Sequence, residues 1–107
     1  AVLRTVSTLL HQGLRTEDVV ARYGGEEFVL VMRGIQGAEA IVAADRLRTL
    51  VERTPIQYGP STIQVTASAG VACTAELAVL DRAALLGTAD GRLYRAKEAG
   101  RNKVIGF

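Results

Sequence analysis

The run RYGGEEF at residues 22–28 places two glutamates directly after two glycines. Paired glycines are typical of a two-residue β-hairpin loop, whose central positions favour positive φ. Neighbouring carboxylates repel each other unless a proton or a cation relieves them, and a divalent metal with a polyphosphate does so. These four residues alone are also compatible with a solvated hairpin turn, so the surrounding sequence must decide between the two interpretations.

The composition indicates one domain, or part of one, with little net charge. The chain has 107 residues, 49% of them hydrophobic, and a formal net charge of +2. That charge is too small to predict a surface for nucleic acid or for an anionic membrane. Cys73 is the single cysteine, so no intramolecular disulfide forms, and no apolar run approaches the ~18 residues of a membrane span. We expect a cytoplasmic protein, or a domain on the cytoplasmic side of an anchored one.

Hydrophobic periodicity predicts alternating helices and strands. Helical spacing covers residues 2–14, 38–53 and 82–99, with Asp81 as N-cap and Gly100 as stop of the third helix. Strand patterns cover residues 19–23, 28–32, 63–71 and 103–107, and the first two form a hairpin. Pro55, Gly59 and Pro60 predict a loop. The mixture predicts an α+β sandwich of helices packed on a sheet.

The start of the chain lies inside a predicted helix, with no strand before it. In a compact sheet with flanking helices, each helix usually connects two strands. We therefore expect a further segment before Ala1 in the intact protein.

Five separated motifs resemble the GGDEF-domain diguanylate cyclases, in the GGEEF variant that active members also use. They are RYGGEEF at 22–28, TASAGV at 66–71, AD at 89–90 with LY at 93–94, AK at 96–97, and GRN at 100–102. The resemblance covers residues 1–107 as a single domain truncated on its N-terminal side. It implies an opening strand with a metal-binding aspartate, and a guanine-reading segment, both outside this chain.

The resemblance implies a palm-like α+β fold with a central, largely antiparallel sheet and the signature turn at a hairpin tip. It also implies a reaction in which two GTP molecules, one on each domain of a homodimer, condense to cyclic di-GMP with release of pyrophosphate. Glu26 is then the ligand of Mg²⁺ (or Mn²⁺), and Glu27 activates or positions the attacking hydroxyl or assists the metal site. Gly24 and Gly25 let the nucleotide approach the backbone.

Two cationic residues complete the implied substrate site. Lys97 and Arg101 are four apart near the end of the third predicted helix, so we expect both heads on one face, where they can bind a triphosphate together. The alternative is a solvated basic helix end that complements the helix dipole. Asp90 is expected to orient the surrounding structure rather than to contact the substrate.

An Arg-x-x-Asp pattern precedes the signature turn. By the resemblance, Arg15 and Asp18 form a product-inhibition site for cyclic di-GMP, to which Arg46 contributes a second guanidinium. The alternative is a local surface ion pair worth little free energy. A second reading of the whole chain is a non-catalytic module that binds cyclic di-GMP and regulates a partner.

Overall fold

The computed structural model describes residues 2–78 and 81–106 and contains three helices and six short strands. In chain order these are α1 (Val2–Gly13), β1 (Val19–Arg22), β2 (Phe28–Val31), α2 (Gly37–Arg53), β3 (Ile56–Tyr58), β4 (Ser61–Ile63), β5 (Ala69–Gly70), α3 (Arg82–Glu98) and β6 (Val104–Ile105), with a 3-10 turn at Thr74–Glu76 between β5 and α3. The predicted α+β class is confirmed. No helix among the described residues combines the length and apolar character needed to cross a bilayer.

The strands form three pairs. β1 and β2 are antiparallel with Arg22 opposite Phe28, which confirms the predicted hairpin, and β3 and β4 form a second antiparallel pair. β5 and β6 are parallel. The described strands therefore belong to three separate two-stranded sheets rather than to one continuous antiparallel sheet.

The prediction of one strand over residues 63–71 was wrong. Its two ends pair with different partners, β4 with β3 and β5 with β6. Gly59, at φ 59°, closes the β3–β4 hairpin, so the stretch with two prolines contains a strand rather than only a loop. Between the two strands, Val65 and Ala67 are half-buried while Gln64 and Thr66 are exposed. The alternation therefore predicted the burial of residues 64–67, but it predicted neither the half-burial of Ser68 nor the hydrogen-bonding partners.

The main core lies where α1 packs on α2 and where β3 joins them. Val51 of α2 and Ile56 of β3 are fully buried. Burial of branched apolar side chains of this size contributes about 1.5–3 kcal/mol each. The remaining buried apolar residues of the described chain are Leu9, Leu10, Ala44, Leu47 and Ala96.

Both ends of α3 are capped as predicted. The Asp81 carboxylate accepts a hydrogen bond from the Ala83 amide at 3.1 Å. At the other end Gly100, at φ 113°, donates its amide to the Lys97 carbonyl at 3.3 Å. The Arg101 amide donates to the Ala96 carbonyl at 2.9 Å, which completes a Schellman motif.

The backbone of β5 lies directly against the backbone of α3 at Gly70. A Cβ added at Gly70 would overlap the Ala89 carbonyl oxygen and the Leu93 amide, and would lie 2.9 Å from the Arg92 carbonyl carbon. These are backbone atoms, which cannot rotate away as a flexible side chain can. Only glycine therefore permits this approach.

An ion pair joins the 3-10 turn to α3. The Arg92 guanidinium donates to the Glu76 carboxylate, at 2.9 Å for one of the two bonds, and to the Val71 carbonyl at 2.7 Å. The Cys73 amide donates to the same carboxylate at 2.8 Å. Because the pair is largely shielded, with side chains 12% and 20% exposed, its hydrogen bonds hold the pKa of Glu76 below its ordinary value.

Substitution of Gly70 by alanine is expected to destabilise the fold by about 1–3 kcal/mol, because the new methyl group forces β5 away from α3. Gly87→Ala is the matched control: an added Cβ there meets nothing within 4 Å. That control should leave stability unchanged or raise it by up to about 1 kcal/mol, as expected for glycine in a helix. Denaturant unfolding of both variants measures the difference, and equal stabilities would contradict the close contact.

Glu76→Gln is expected to lower the free energy of unfolding at neutral pH by about 1–2 kcal/mol, because a charge-assisted bond to Arg92 is lost. Since folding lowers the pKa of Glu76, its contribution is complete above the ordinary value of 4.5 and disappears as the pH falls through the lowered folded value. The wild-type protein should therefore lose more stability on acidification than the variant. Denaturant unfolding of wild type and variant above and below this pH range measures the difference. If both proteins lose the same free energy of unfolding on acidification, the assignment to Glu76 is contradicted.

Candidate functional site

The glycine-glutamate turn is held by backbone hydrogen bonds at the tip of the β1–β2 hairpin. The amides of Tyr23 and Gly24 both donate to the Glu27 carbonyl, at 2.8 and 3.4 Å. The Arg22 guanidinium donates to the Gly25 carbonyl at 2.7 Å. The loop between the strands spans residues 23–27 and neither Gly24 nor Gly25 has a positive φ, so this is not the two-residue hairpin loop of which paired glycines are typical.

The two glycines have different surroundings. A Cβ at Gly24 would lie 3.0 Å from a carboxylate oxygen of Glu27, so a larger residue would push on that side chain. At Gly25 an added Cβ meets nothing within 4 Å. A side chain at Gly24 would therefore displace the Glu27 carboxylate slightly, whereas Gly25 leaves an open face on the turn.

The two carboxylates of the turn face different environments. Glu26 is exposed and Glu27 is half-buried. Neither forms an ion pair with a described residue. Their charges are therefore available to a cation from outside the described chain.

The donor set of this turn fits Mg²⁺. The described residues contain no cluster of three or more metal-ligating side chains. Mg²⁺ does not need one, because it usually keeps several waters and takes one or two carboxylates together with substrate phosphates. The turn carries two carboxylates, those of Glu26 and Glu27.

A groove of about 260 Å³ lies between α1 and the hairpin. Its wall is part apolar and part cationic, formed by Leu3, Arg4, Ser7, His11, Val20, Arg22 and Phe28. The His11 ring nitrogen Nδ1 lies 2.8 Å from the Ser7 carbonyl, so the single histidine is engaged within its own helix. No sequence pattern signalled this groove, because its residues come from two elements that meet only in the folded chain.

Lys97 and Arg101 lie at the C-terminal end of α3, but the reason given for pairing them was wrong. The helix ends at Glu98, and Arg101 has a left-handed backbone with φ 63°. Helical spacing therefore does not set its direction. Both residues are exposed, and within the described residues no hydrogen bond or ion pair joins either side chain to the glutamate turn.

Arg15 and Asp18 form a tight pair ahead of the hairpin. The Asp18 carboxylate accepts hydrogen bonds from the Arg15 amide at 2.9 Å and from its guanidinium at 3.0 Å. The guanidinium also donates to the Arg33 carbonyl at 2.6 Å. These bonds lower the pKa of Asp18 and raise that of Arg15.

The exposure of this pair is unequal. The Asp18 side chain is 3% exposed, and that of Arg15 is 45% exposed. Asp18 is therefore occupied by the protein, while Arg15 retains a solvent-facing surface. The second guanidinium proposed from the sequence, that of Arg46, lines the same groove of about 430 Å³ as Arg15 and Asp18, together with Met32 and Glu39.

Comparison with known proteins identifies the family. The profile described as "Diguanylate cyclase, GGDEF domain" matches residues 1–103. The response regulator PleD of Caulobacter vibrioides is 40% identical over 107 residues, which cover 98% of this chain but 23% of PleD. The chain thus spans less than a quarter of that curated relative.

Solved structures support the same relationship. The GGDEF domain of YfiN (TpbB) from Pseudomonas aeruginosa superposes with a TM-score of 0.90 at 32% identity, covering 98% of this chain and 65% of that one. The active GGEEF domain of a diguanylate cyclase from Vibrio cholerae gives a TM-score of 0.80 at 25% identity, covering 99% and 66%. The neighbours confirm the palm-like α+β fold expected from the resemblance. With its GGEEF turn at a hairpin tip and a profile match over nearly its whole length, the chain belongs to the GGDEF-domain diguanylate cyclase family.

Proposed function

We propose that this chain is part of a diguanylate cyclase that condenses two GTP molecules into cyclic di-GMP and pyrophosphate in bacterial second-messenger signalling. The observation that carries the proposal is the intact GGEEF turn, whose two carboxylates have no cationic partner among the described residues. The similar domain from Vibrio cholerae is described as active with this same variant of the signature.

Glu26 is the proposed ligand of Mg²⁺ (or Mn²⁺), since it is the more exposed of the two carboxylates. When bound, the metal neutralises charge on the phosphates of GTP and polarises the phosphoryl group that is attacked. Hydrogen bonds to the carbonyls of Gly25 and Glu27 hold the backbone on both sides of Glu26 before substrate arrives. Such fixed geometry lowers the reorganisation that binding would otherwise require.

Glu27 is proposed to accept or orient the proton of the attacking 3′-hydroxyl. It is half-buried beside Gly24, whereas Glu26 is exposed. A general base must be held within hydrogen-bond reach of the proton that it removes. Gly24 leaves room for this carboxylate, which is a role in addition to admitting the nucleotide. The open face at Gly25 suits a close approach of substrate.

Lys97 and Arg101 are proposed to bind the phosphates, because both are exposed and neither forms an ion pair with a described residue. A guanidinium binds two phosphate oxygens at once, and an ammonium binds as a point charge. The groove between α1 and the hairpin, which includes Arg4 and Arg22, is a candidate for other parts of the nucleotide.

Catalysis is proposed to take place in a homodimer. Each domain holds one GTP, and each 3′-hydroxyl attacks the α-phosphate of the partner nucleotide. One glutamate turn supplies at most two carboxylates. Mg²⁺ is usually bound by one or two carboxylates together with the phosphates of one substrate, so one turn suits one nucleotide per domain. The active form is thus two domains face to face.

Product inhibition is proposed at the groove that contains Arg15 and Arg46. A planar guanidinium can bind a guanine edge or a phosphate through two parallel hydrogen bonds. Arg15 offers its exposed part to such a ligand, while the nearly buried Asp18 orients it. Asp18 is therefore proposed to act mainly through Arg15 rather than as an independent contact.

Replacing Glu27 by Gln is expected to lower cyclic di-GMP production from GTP and Mg²⁺ at least about a hundredfold, because the amide cannot accept the hydroxyl proton. The assay uses the full natural protein that contains this chain and separates the nucleotide products by chromatography. Glu98→Gln, an exposed glutamate at the end of α3, is the matched control and should keep wild-type activity. A wild-type protein that binds GTP with Mg²⁺ but forms no cyclic product would overturn the proposed reaction.

Replacing Arg15 by Ala is expected to weaken the binding of cyclic di-GMP at least about tenfold, because a charge-assisted hydrogen bond to the ligand is lost. Isothermal calorimetry measures this directly, with Arg53→Ala as a control at an exposed arginine of α2. Equal affinities for wild type and Arg15→Ala would remove the inhibitory assignment. Binding of cyclic di-GMP by a wild type that makes none would instead favour the regulatory module.

A further inference from the structure

Three consecutive residues after α3 have positive φ. The angles are 113° at Gly100, 63° at Arg101 and 50° at Asn102. Glycine and asparagine tolerate this region, but arginine rarely adopts it because its Cβ approaches the following carbonyl. Among the described residues, Arg101 and Asn102 are the two non-glycine residues with positive φ. Such conformations persist where the surrounding structure enforces them, and they cluster at functional sites.

Asn102 is the residue through which the structure enforces this turn. Its side-chain oxygen accepts a hydrogen bond from the Arg48 guanidinium at 2.9 Å, and its side-chain nitrogen donates to the Glu52 carboxylate at 2.6 Å. Its backbone amide donates to the Ser68 hydroxyl at 3.0 Å. Three hydrogen bonds therefore fix Asn102 to α2 and to the segment just before β5.

The partners of Asn102 are themselves fixed. Arg48 donates to the Asp45 carboxylate at 2.7 Å and to the Glu52 carboxylate at 3.2 Å. Its side chain is only 18% exposed, so these bonds lie partly out of water. We call Arg48, Glu52 and Asn102 the Asn102 network. It is a closed arrangement in which each side chain is hydrogen-bonded to the other two.

Closing α3 does not require this network. The amides of Gly100 and Arg101 already satisfy the carbonyls of Lys97 and Ala96 near the end of the helix through the Schellman motif. The Asn102 network acts one residue further along, on the far side of Arg101. Arg101 is thus held by its own amide on one side and by Asn102 on the other, while its guanidinium is exposed and makes no hydrogen bond or ion pair with a described residue.

We infer that Asn102, held by Arg48 and Glu52, is a positioning residue that fixes the backbone of Arg101 so that its guanidinium binds the GTP phosphates. This inference rests on the proposed cyclase function. A long side chain on a flexible loop loses much conformational freedom when it binds, and a fixed backbone reduces that cost. Because α3 ends at Glu98, helical spacing does not set the direction of the Arg101 side chain. The left-handed turn sets it instead.

The test is a double-mutant cycle on the full natural protein, with steady-state kinetics for GTP. Asn102→Gly removes the side-chain bonds but still tolerates positive φ, so the turn can form. We expect the KM for GTP to rise about tenfold with Asn102→Gly or Arg101→Ala, with much smaller changes in kcat, since a phosphate contact serves ground and transition states alike. In the Arg101→Ala background, Asn102→Gly should add no further increase, because the side chain that it positions is absent.

A second substitution reaches the same network from α2. Arg48→Gln removes the guanidinium bonds to Asn102 and should also raise the KM, whereas Arg53→Gln, exposed in the last turn of the same helix, should not. Thermal unfolding of each variant separates this effect from a general loss of fold.

Two outcomes would overturn the inference within an active enzyme. An Asn102→Gly effect of equal size with and without Arg101 shows that Asn102 supports the fold generally, and an unchanged KM in Arg101→Ala removes the contact that Asn102 would position. A wild-type protein that forms no cyclic di-GMP fails one step earlier: it overturns the proposed function and this inference with it.

Discussion

The position of the C-terminal half of the molecule depends on the approach of β5 to α3 at Gly70. Because that contact is between two backbones, it sets the separation of strand and helix without any adjustable side chain. The strand that makes this contact also pairs with β6, through hydrogen bonds from the amides of Ala69 and Val71. The hydroxyl of Ser68 holds the turn between α3 and β6. One short segment therefore orients the helix, the turn after it and the returning strand.

The charges of the chain separate into two groups. In the first group, partly shielded arginines are paired within the protein, as Arg92 is with Glu76 and Arg48 is with Glu52. The first pair joins α3 to the 3-10 turn, and the second lies within α2. In the second group the side chains are exposed or half-buried and have no ion-pair partner among the described residues, as for Glu26, Glu27 and Lys97. The second group is the one to which the proposed reaction assigns metal and phosphate contacts.

Sequence reasoning succeeded where the determinants were local. Asp81 and Gly100 marked the ends of α3 because capping depends on a few neighbouring residues. The β1–β2 hairpin followed from the alternating pattern of its first strand and the nearly continuous apolar run of its second. The strand over residues 63–71 failed because its pattern records burial, whereas the choice of hydrogen-bonding partner depends on residues far away in the sequence.

The candidate site divides along the same line. The glutamate turn is determined by contacts within residues 22–27, so a short motif was enough to find it. The turn that contains Arg101 is joined through Asn102 to Arg48, which lies 54 positions from Asn102 in the sequence, and to the segment before β5. No pattern near Arg101 reports those partners, and the assumption of a continuing helix led to the wrong geometry. The anionic part of the site is thus encoded locally, and its proposed cationic part takes shape only when α2, β5 and α3 have packed together.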